Sequence, residues 1–283
     1  MHNSFSKAIQ YMLLSTLSFA FMNIAVKYLV HYPTFQIVFF RAIGSLLITF
    51  SYLRYKNINP WGNQRKLLIL RGLVGVTSMV LFFWGVHYIS VGTAVTLRYL
   101  SPIFAAIFTV LFFKGKIKAV QWFFFSLSFT GVVFIKGLDA AVSGFGVGLV
   151  LGAAVFSALV YLLIQKIGKQ DHPVVVVHYF MIITTLVGGV GSLFSWEKPQ
   201  LWDWGILFSL GIFGYFGQLF MTKAFQNAAA YRVAPFKYVE VLFTLFFSFF
   251  ILVEPYSKYQ LIGAFLVILG LVLNGLYKSK TKS

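Results

Sequence analysis

The stretch RGLVGVTSMVLFFWGVHYISVGTAVTLRYLSPIFAAIFTVLFF, residues 71–113, decides the fold. It holds most of two long apolar runs, 67–88 and 92–113, that meet near Ser90. A helix of roughly 20 apolar residues crosses the hydrocarbon core of a bilayer. Two such runs with almost nothing between them read as a pair of membrane spans joined by a tight connection. Eight more runs of the same kind lie outward from this pair, at 8–30, 34–53, 119–136, 144–165, 173–195, 202–225, 230–253 and 258–276. The composition agrees. Only 10% of the 283 residues are charged and 59% are hydrophobic, with 34 Phe, whereas a soluble domain carries about 25% charged residues. The expectation is an all-α polytopic membrane protein with ten transmembrane helices and no room for a soluble domain.

The connections carry the punctuation. Pro33, Pro173, Pro199 and Pro255 fall between runs, where a missing N–H does little harm. Residues 57–66, NINPWGNQRK, form a turn-rich loop, and 136–144, KGLDAAVSG, is the natural hinge between halves. The first run is too long for the apolar region of a signal peptide and is soon followed by another, so it is read as helix one.

The formal net charge is +17, from 23 Lys+Arg against 6 Asp+Glu. Basic clusters between apolar runs orient membrane proteins, with cytoplasmic loops enriched in Lys and Arg. With the N-terminus inside, the cytoplasmic segments hold Lys7, Arg54, Lys56, Arg65, Lys66, Lys114, Lys116, Lys118, Lys166, Lys169, Lys223, Lys278, Lys280 and Lys282. The outer segments hold only Lys27, Lys136, Lys198 and Lys258. Both termini are therefore expected in the cytoplasm, and the positive charge is an insertion signal, with no nucleic acid implied. Cys is absent, which excludes disulfides, thiolate metal sites and Cys nucleophiles.

Ten runs divide into five and five, with the first repeat at 1–137 and the second at 138–283. Because five is odd, the two halves would be inverted in the membrane, the plan of many secondary transporters. A shift of 139 residues lays Arg98 on Lys237, Tyr99 on Tyr238, Phe104 on Phe243, Phe108 on Phe247, Gln121 on Gln260 and Gly131 on Gly270. The basic–aromatic pair, RY in one half and KY in the other, is the informative part.

Residues 71–113 and AFQNAAAYRVAPFKYVEVLFTLFFSFFILVEP (224–255) resemble the fourth- and ninth-helix signatures of EamA-type members of the drug/metabolite transporter superfamily. The most specific pieces are RG (71–72), SPIF (101–104), APFKYVE (234–240) and EP (254–255). The resemblance implies two inverted five-helix repeats around a central cavity, both termini inside, with helices five and ten peripheral and often in a dimer-like contact. APFKYVE is similar to members that carry S-adenosylmethionine or other amino-acid-like solutes. One departure is KGK at 114–116, where the first-half counterpart of the EP glutamate is usually acidic.

Charged groups inside a span cost at least about 2.5–3.5 kcal/mol on insertion scales and normally face a cavity or a partner. Arg98 lies roughly 9 Å inside helix four and Lys237 at similar depth in helix nine from the opposite side. They can hold an anionic group in turn, or snorkel to a headgroup. Glu240 is the only carboxylate deep within a span. It shares a helix face with Lys237 at i,i+3 and either pairs with it or accepts a substrate ammonium or a proton. Arg41 lines the outer vestibule or balances Glu240. Arg71 and Arg232 read first as anchors beside basic loops. Asn23 and Gln218 are deep neutral groups able to bond substrate or another helix. Trp84, Tyr99, Tyr179 and Tyr238 can wall an aromatic cavity or belong to interfacial belts. Gly148 and Gly152, and Gly211, Gly214 and Gly217, permit close helix approach.

The sequence contains no HExxH, GxSxG, buried Asp pair or phosphate-binding G-x-x-x-x-G-K-[ST] loop. It therefore reads as a secondary transporter and not as an enzyme or ATP-driven pump, with no cofactor. The expected solute is small, organic and anionic or zwitterionic, held by Arg98, Tyr99, Lys237, Tyr238, Glu240, Arg41, Asn23, Trp84 and Gln218. Export of an aromatic or amphipathic metabolite is the alternative, and a non-transporting accessory membrane protein a third class. The partners are the lipid bilayer and the solute, with a homodimer left open, and the location is the cell inner (plasma) membrane. A C-terminal epitope tag is expected to stay unlabelled by an impermeant reagent in intact cells and to label after permeabilisation. Labelling in intact cells would overturn the orientation.

Overall fold

The computed structural model describes residues 2–101, 103–105, 107–108, 118–137, 142–227 and 236–280. Ten α-helices are described: α1 (His2–Tyr28), α2 (Thr34–Tyr55), α3 (Arg65–Val86), α4 (Val91–Arg98), α5 (Ala119–Gly137), α6 (Gly144–Ile167), α7 (Pro173–Ser192), α8 (Asp203–Asn227), α9 (Val239–Ile251) and α10 (Lys258–Lys280). No strand occurs among the described residues. Six helices, α1–α3 and α6–α8, are long and apolar enough to cross a membrane, and α9 and α10 are shorter apolar helices within the described residues. Arg232, Pro102, the KGK segment and residues 138–141 of the 136–144 hinge lie outside the described residues.

The fourth run departs from a single uninterrupted helix. α4 stops at Arg98, Tyr99 and Leu100 form a turn, and the described residues between 101 and 108 are helical again. The sequence supplies the reason. A proline at 102 has no N–H to donate to a carbonyl four residues before it, which is where Arg98 stands in the sequence. The counterpart residue in the other half is also a turn, since Phe236 and Lys237 are helical, Tyr238 is not, and α9 begins at Val239. The two tyrosine rings meet edge to face with centroids 5.7 Å apart.

Helix contacts follow the 139-residue shift. α2 packs on α7 and α5 on α10, and each of these two pairs is its own counterpart under the shift, while α4 also packs on α9. α1 packs on α8 as α3 does on α6, and α2 meets α8 as α3 meets α7. The Ser128 hydroxyl donates to the Val267 carbonyl, exactly one shift away in sequence, at 3.2 Å. A Cβ on Gly131 would sit 2.5 Å from the Gly263 carbonyl, and one on Gly270 2.5 Å from the Phe124 carbonyl. These two close approaches are also counterparts. Thus α5 and α10 bind each other within one chain.

Glycine sets other helix distances. A Cβ on Gly211 would meet Gly44 Cα at 2.6 Å, and the Ser45 and Ser15 hydroxyls bond the Gly211 and Gly217 carbonyls. The expected role of Gly148 and Gly152 is not seen. Nothing lies within 4 Å of a Cβ on Gly148, and one on Gly152 makes only ordinary contact with Leu81. No helix comes close enough on that face to need a glycine, since Gly152 meets only the Leu81 side chain of α3 at ordinary distance.

Each end of the bundle is tied by carboxylates. At one end Asp203, in the first turn of α8, accepts from the Tyr32 hydroxyl at 2.7 Å. Beside it Glu254 accepts from the Val91 N–H at the start of α4, pairs with Lys27 at 3.6 Å and accepts from the Tyr256 hydroxyl. An anion is well placed at a helix N-terminus, where backbone N–H groups lack partners. At the other end Asp171 accepts from the N–H groups of Asn63 and Gln64, just before α3. The shift exchanges Tyr32–Asp203 with Asp171–Gln64. Burial, followed by the charge of Glu254, pushes the Tyr256 hydroxyl well above its ordinary value, and burial does the same at Tyr32. Both therefore remain protonated donors at neutral pH.

Replacing Gly270 by Leu is expected to lower the melting temperature of the detergent-solubilised protein by several degrees, because overpacking costs about 1–3 kcal/mol. Gly148→Leu is expected to leave it nearly unchanged. Equal effects would contradict the α5–α10 contact.

Candidate functional site

The interruptions at Tyr99 and Tyr238 bring charged groups from α4 and α9 to the middle of the bundle. Glu240, fully buried, is the hub. Its Oε1 accepts from Arg98 Nη2 at 2.8 Å and from Asn23 Nδ2 at 3.1 Å, and its Oε2 accepts from the Tyr99 hydroxyl. Three donors from α1, α4 and the turn after it thus compensate one carboxylate that burial would otherwise penalise. The Arg98 guanidinium also lies over the Phe82 ring, 3.9 Å from its centroid. The i,i+3 pair of Lys237 with Glu240 does not form. The two residues straddle the turn at Tyr238, and Arg98 takes the carboxylate. Lys237 instead donates to the Tyr161 hydroxyl of α6 at 2.8 Å, with its ammonium against the rings of Tyr161 and Tyr99.

Beside this network lies a cavity of about 70 Å³. Arg41, Arg71, Arg98 and Lys237 all line it, with Tyr161, Gln218, Ser78 and Ser157 as its polar neutral groups. Met22, Met79, Phe83, Phe180 and Met221 supply apolar wall. No carboxylate is in that wall among the described residues. Arg41 and Arg71 are each only 1% exposed. Arg71 donates to Gln218 Oε1 at 2.8 Å and lies 4.1 Å from the Phe180 centroid. Arg41 bonds only the thioether sulfurs of Met22 and Met79 among the described residues.

The structure therefore sorts the nine expected residues. Arg41, Arg98, Lys237 and Gln218 line the cavity. Asn23, Tyr99 and Glu240 form the network behind it, and Tyr238 packs edge-on to Tyr99. Trp84 is not brought there. It is 42% exposed and meets Phe145 on the outer surface of the bundle. Arg41 does not balance Glu240, whose oxygens are occupied by other donors. Arg71 is the largest correction. It reads from sequence as an anchor one or two turns into its helix, yet its side chain is buried at the cavity. The signal available was RG at 71–72 without a nearby acidic partner. Tyr161 had no sequence signal, since tyrosine at that depth is ordinary.

An all-helical, multi-pass protein with buried cations around a central cavity has the form of a membrane carrier for small solutes, set in the bilayer. The EamA-like transporter family model matches the chain twice, at residues 6–137 and 144–276. The chain belongs to the EamA-like transporter family. It is similar to the pseudopaline exporter CntI of Pseudomonas aeruginosa, with 28% identity over 265 residues covering 92% of each chain. It is 30% identical to human solute carrier family 35 member G1 over 257 residues, covering 84% of this chain and 70% of that protein. It is 26% identical to an S-adenosylmethionine uptake transporter of Rickettsia bellii over 267 residues, covering 94% and 92%. A solved crystal structure at 12% identity superposes with a TM-score of 0.72 over 98% of this chain and 99% of that one, which speaks to the fold alone. The protein is a transporter of small metabolites and not an enzyme, as its family and named relatives are.

Removing Glu240 leaves a buried guanidinium, an amide and a phenol without their acceptor. Glu240→Ala is expected to cost about 3–5 kcal/mol, read as a large fall in melting temperature or loss of folded protein. Glu240→Gln, which keeps an acceptor oxygen, should cost less. A neutral outcome for both would contradict the hub.

Proposed function

We propose that the protein is a secondary transporter for a small organic solute bearing anionic charge, working by alternating access between two inverted five-helix repeats, 1–137 and 138–283. Ten spans with both termini cytoplasmic, and a place in the inner (plasma) membrane, belong to this reading. So do homodimerisation and independence of nucleic acid. The single observation that carries it is the cavity wall, in which four cations converge without a carboxylate. Buried charges in a membrane protein mark the path of what is carried.

The geometry favours an anion over a zwitterion. Glu240, the natural receptor for an ammonium, already holds three donors and stands behind the wall. The ends supply the gates: Lys27–Glu254–Val91 and Tyr32–Asp203 at one, Asp171 with Asn63 and Gln64 at the other. Each must part for solute to pass. At about 70 Å³ the cavity falls short of the roughly 300 Å³ or more of ligand pockets, so solute entry requires the halves to move. Direction is not shared among relatives, one being named an exporter and another an uptake transporter.

Purified protein in proteoliposomes is expected to take up an anionic metabolite found by thermal-shift screening. Arg98→Ala and Lys237→Ala should each lower that uptake at least about tenfold, since a hydrogen bond to a charged group contributes about 1.5–3 kcal/mol. Unchanged uptake in both variants would overturn the electrostatic site.

A further inference from the structure

Among the described residues only Arg98 of the four cavity cations has an anionic partner; Lys237 has the Tyr161 hydroxyl, and Arg41 and Arg71 have less. Arg71 is buried, and its Nε and Nη1 have no hydrogen-bond partner. Its one hydrogen bond among the described residues is to the neutral Gln218. Arg41 is equally buried and is held by two thioethers, which are weak acceptors. Both guanidiniums face one ring, Phe180, at 4.1 Å for Arg71 and 5.7 Å for Arg41. Both also run across glycines. A Cβ on Gly75 would press on Arg71 Nη1 at 2.9 Å, and one on Gly214 on Arg41 Nε at 3.1 Å. The sequence thus keeps room for two like charges side by side, an arrangement that is costly in low dielectric until an anion joins them.

We infer that Arg41 and Arg71 form an anion subsite of their own, separate from Arg98 and Lys237, and that the solute is a small organic acid with at least two carboxylate groups. This rests on reading the cavity as the solute site. Guanidinium groups match carboxylates with paired parallel hydrogen bonds, and Arg71 has free N–H groups on two of its nitrogens for that purpose. One carboxylate goes to the Arg41–Arg71 end, beneath Phe180. The other goes to the Arg98–Lys237 end, where Tyr161 already orients the ammonium. The methionines and aromatic rings between the ends suit the carbon chain joining them.

The test uses full-length protein and three probes: glutarate, citrate and butyrate. Thermal shift and competition with uptake read binding, in the wild type and in Arg41→Met, Arg71→Met and Lys237→Ala. Glutarate or citrate should stabilise the wild type more than butyrate at equal concentration. Each arginine variant should weaken the dianion at least about tenfold and leave butyrate little changed. Each should also melt, without solute, no lower than the wild type, because methionine removes an uncompensated buried charge. A structural arginine would behave oppositely, with a lower melting temperature and dianion binding retained. Butyrate bound as tightly as glutarate, dependent on Lys237 and indifferent to Arg41 and Arg71, would overturn this inference and leave the proposed anion carrier standing. No stabilisation by any of the three would overturn both.

Discussion

A charge buried in a membrane protein must be met by another charge or by hydrogen-bond partners, and the centre of this protein is arranged around that constraint. Glu240 meets it in full, drawing Arg98, Asn23 and Tyr99 onto its two oxygens. These contacts join α1, α4 and α9, so the carboxylate fixes the centre of the bundle as well as its charge. The cavity cations meet the constraint only in part. Arg41 and Arg71 are surrounded by thioethers, an amide and a ring. On the proposed reading, a ligand compensates these cations, and stability is forgone at the site where binding needs it.

The same centre gives the carrier its symmetry. α4 and α9 are interrupted at counterpart tyrosines, which meet each other edge to face. From there the contacts repeat under one shift, out to the α5–α10 pair, where Gly131 and Gly270 admit each other's neighbouring carbonyls. The ends of the bundle carry related ties, each a carboxylate near the start of a helix or just before it. Ties of this kind are made of hydrogen bonds and largely buried carboxylates, whereas the helix faces around them are apolar. On the proposed alternating-access reading, the ends open by parting these ties while each half keeps its shape.

Much of this was legible in the sequence because hydropathy and the repeat act over many residues. The six long helices fall close to six of the ten apolar runs, and RY matched to KY marks the two tyrosines that meet. What failed was local and depended on side-chain direction. Lys237 and Glu240 were spaced to pair on a continuous helix, but the turn at Tyr238 and the reach of Arg98 sent them to different partners. Arg71 sits near a helix start, where a basic loop makes anchoring the ordinary reading, and only three-dimensional neighbours reveal that its guanidinium turns inward to Gln218 and Phe180. Trp84 has the depth of a cavity residue and the wrong face. Gly148 and Gly152 have the spacing of a contact motif, and no helix comes close enough there to need a glycine.

The central claim is that the cavity cations read the solute's negative charge. The most direct measurement is a cryo-electron microscopy structure of the full-length protein in lipid with the stabilising organic acid bound. The account predicts solute density between the Arg41–Arg71 pair and the Arg98–Lys237 pair, with carboxylates on the guanidiniums and Glu240 still holding Asn23 and Tyr99. Solute bound elsewhere, with the four cations in their present contacts, would contradict it.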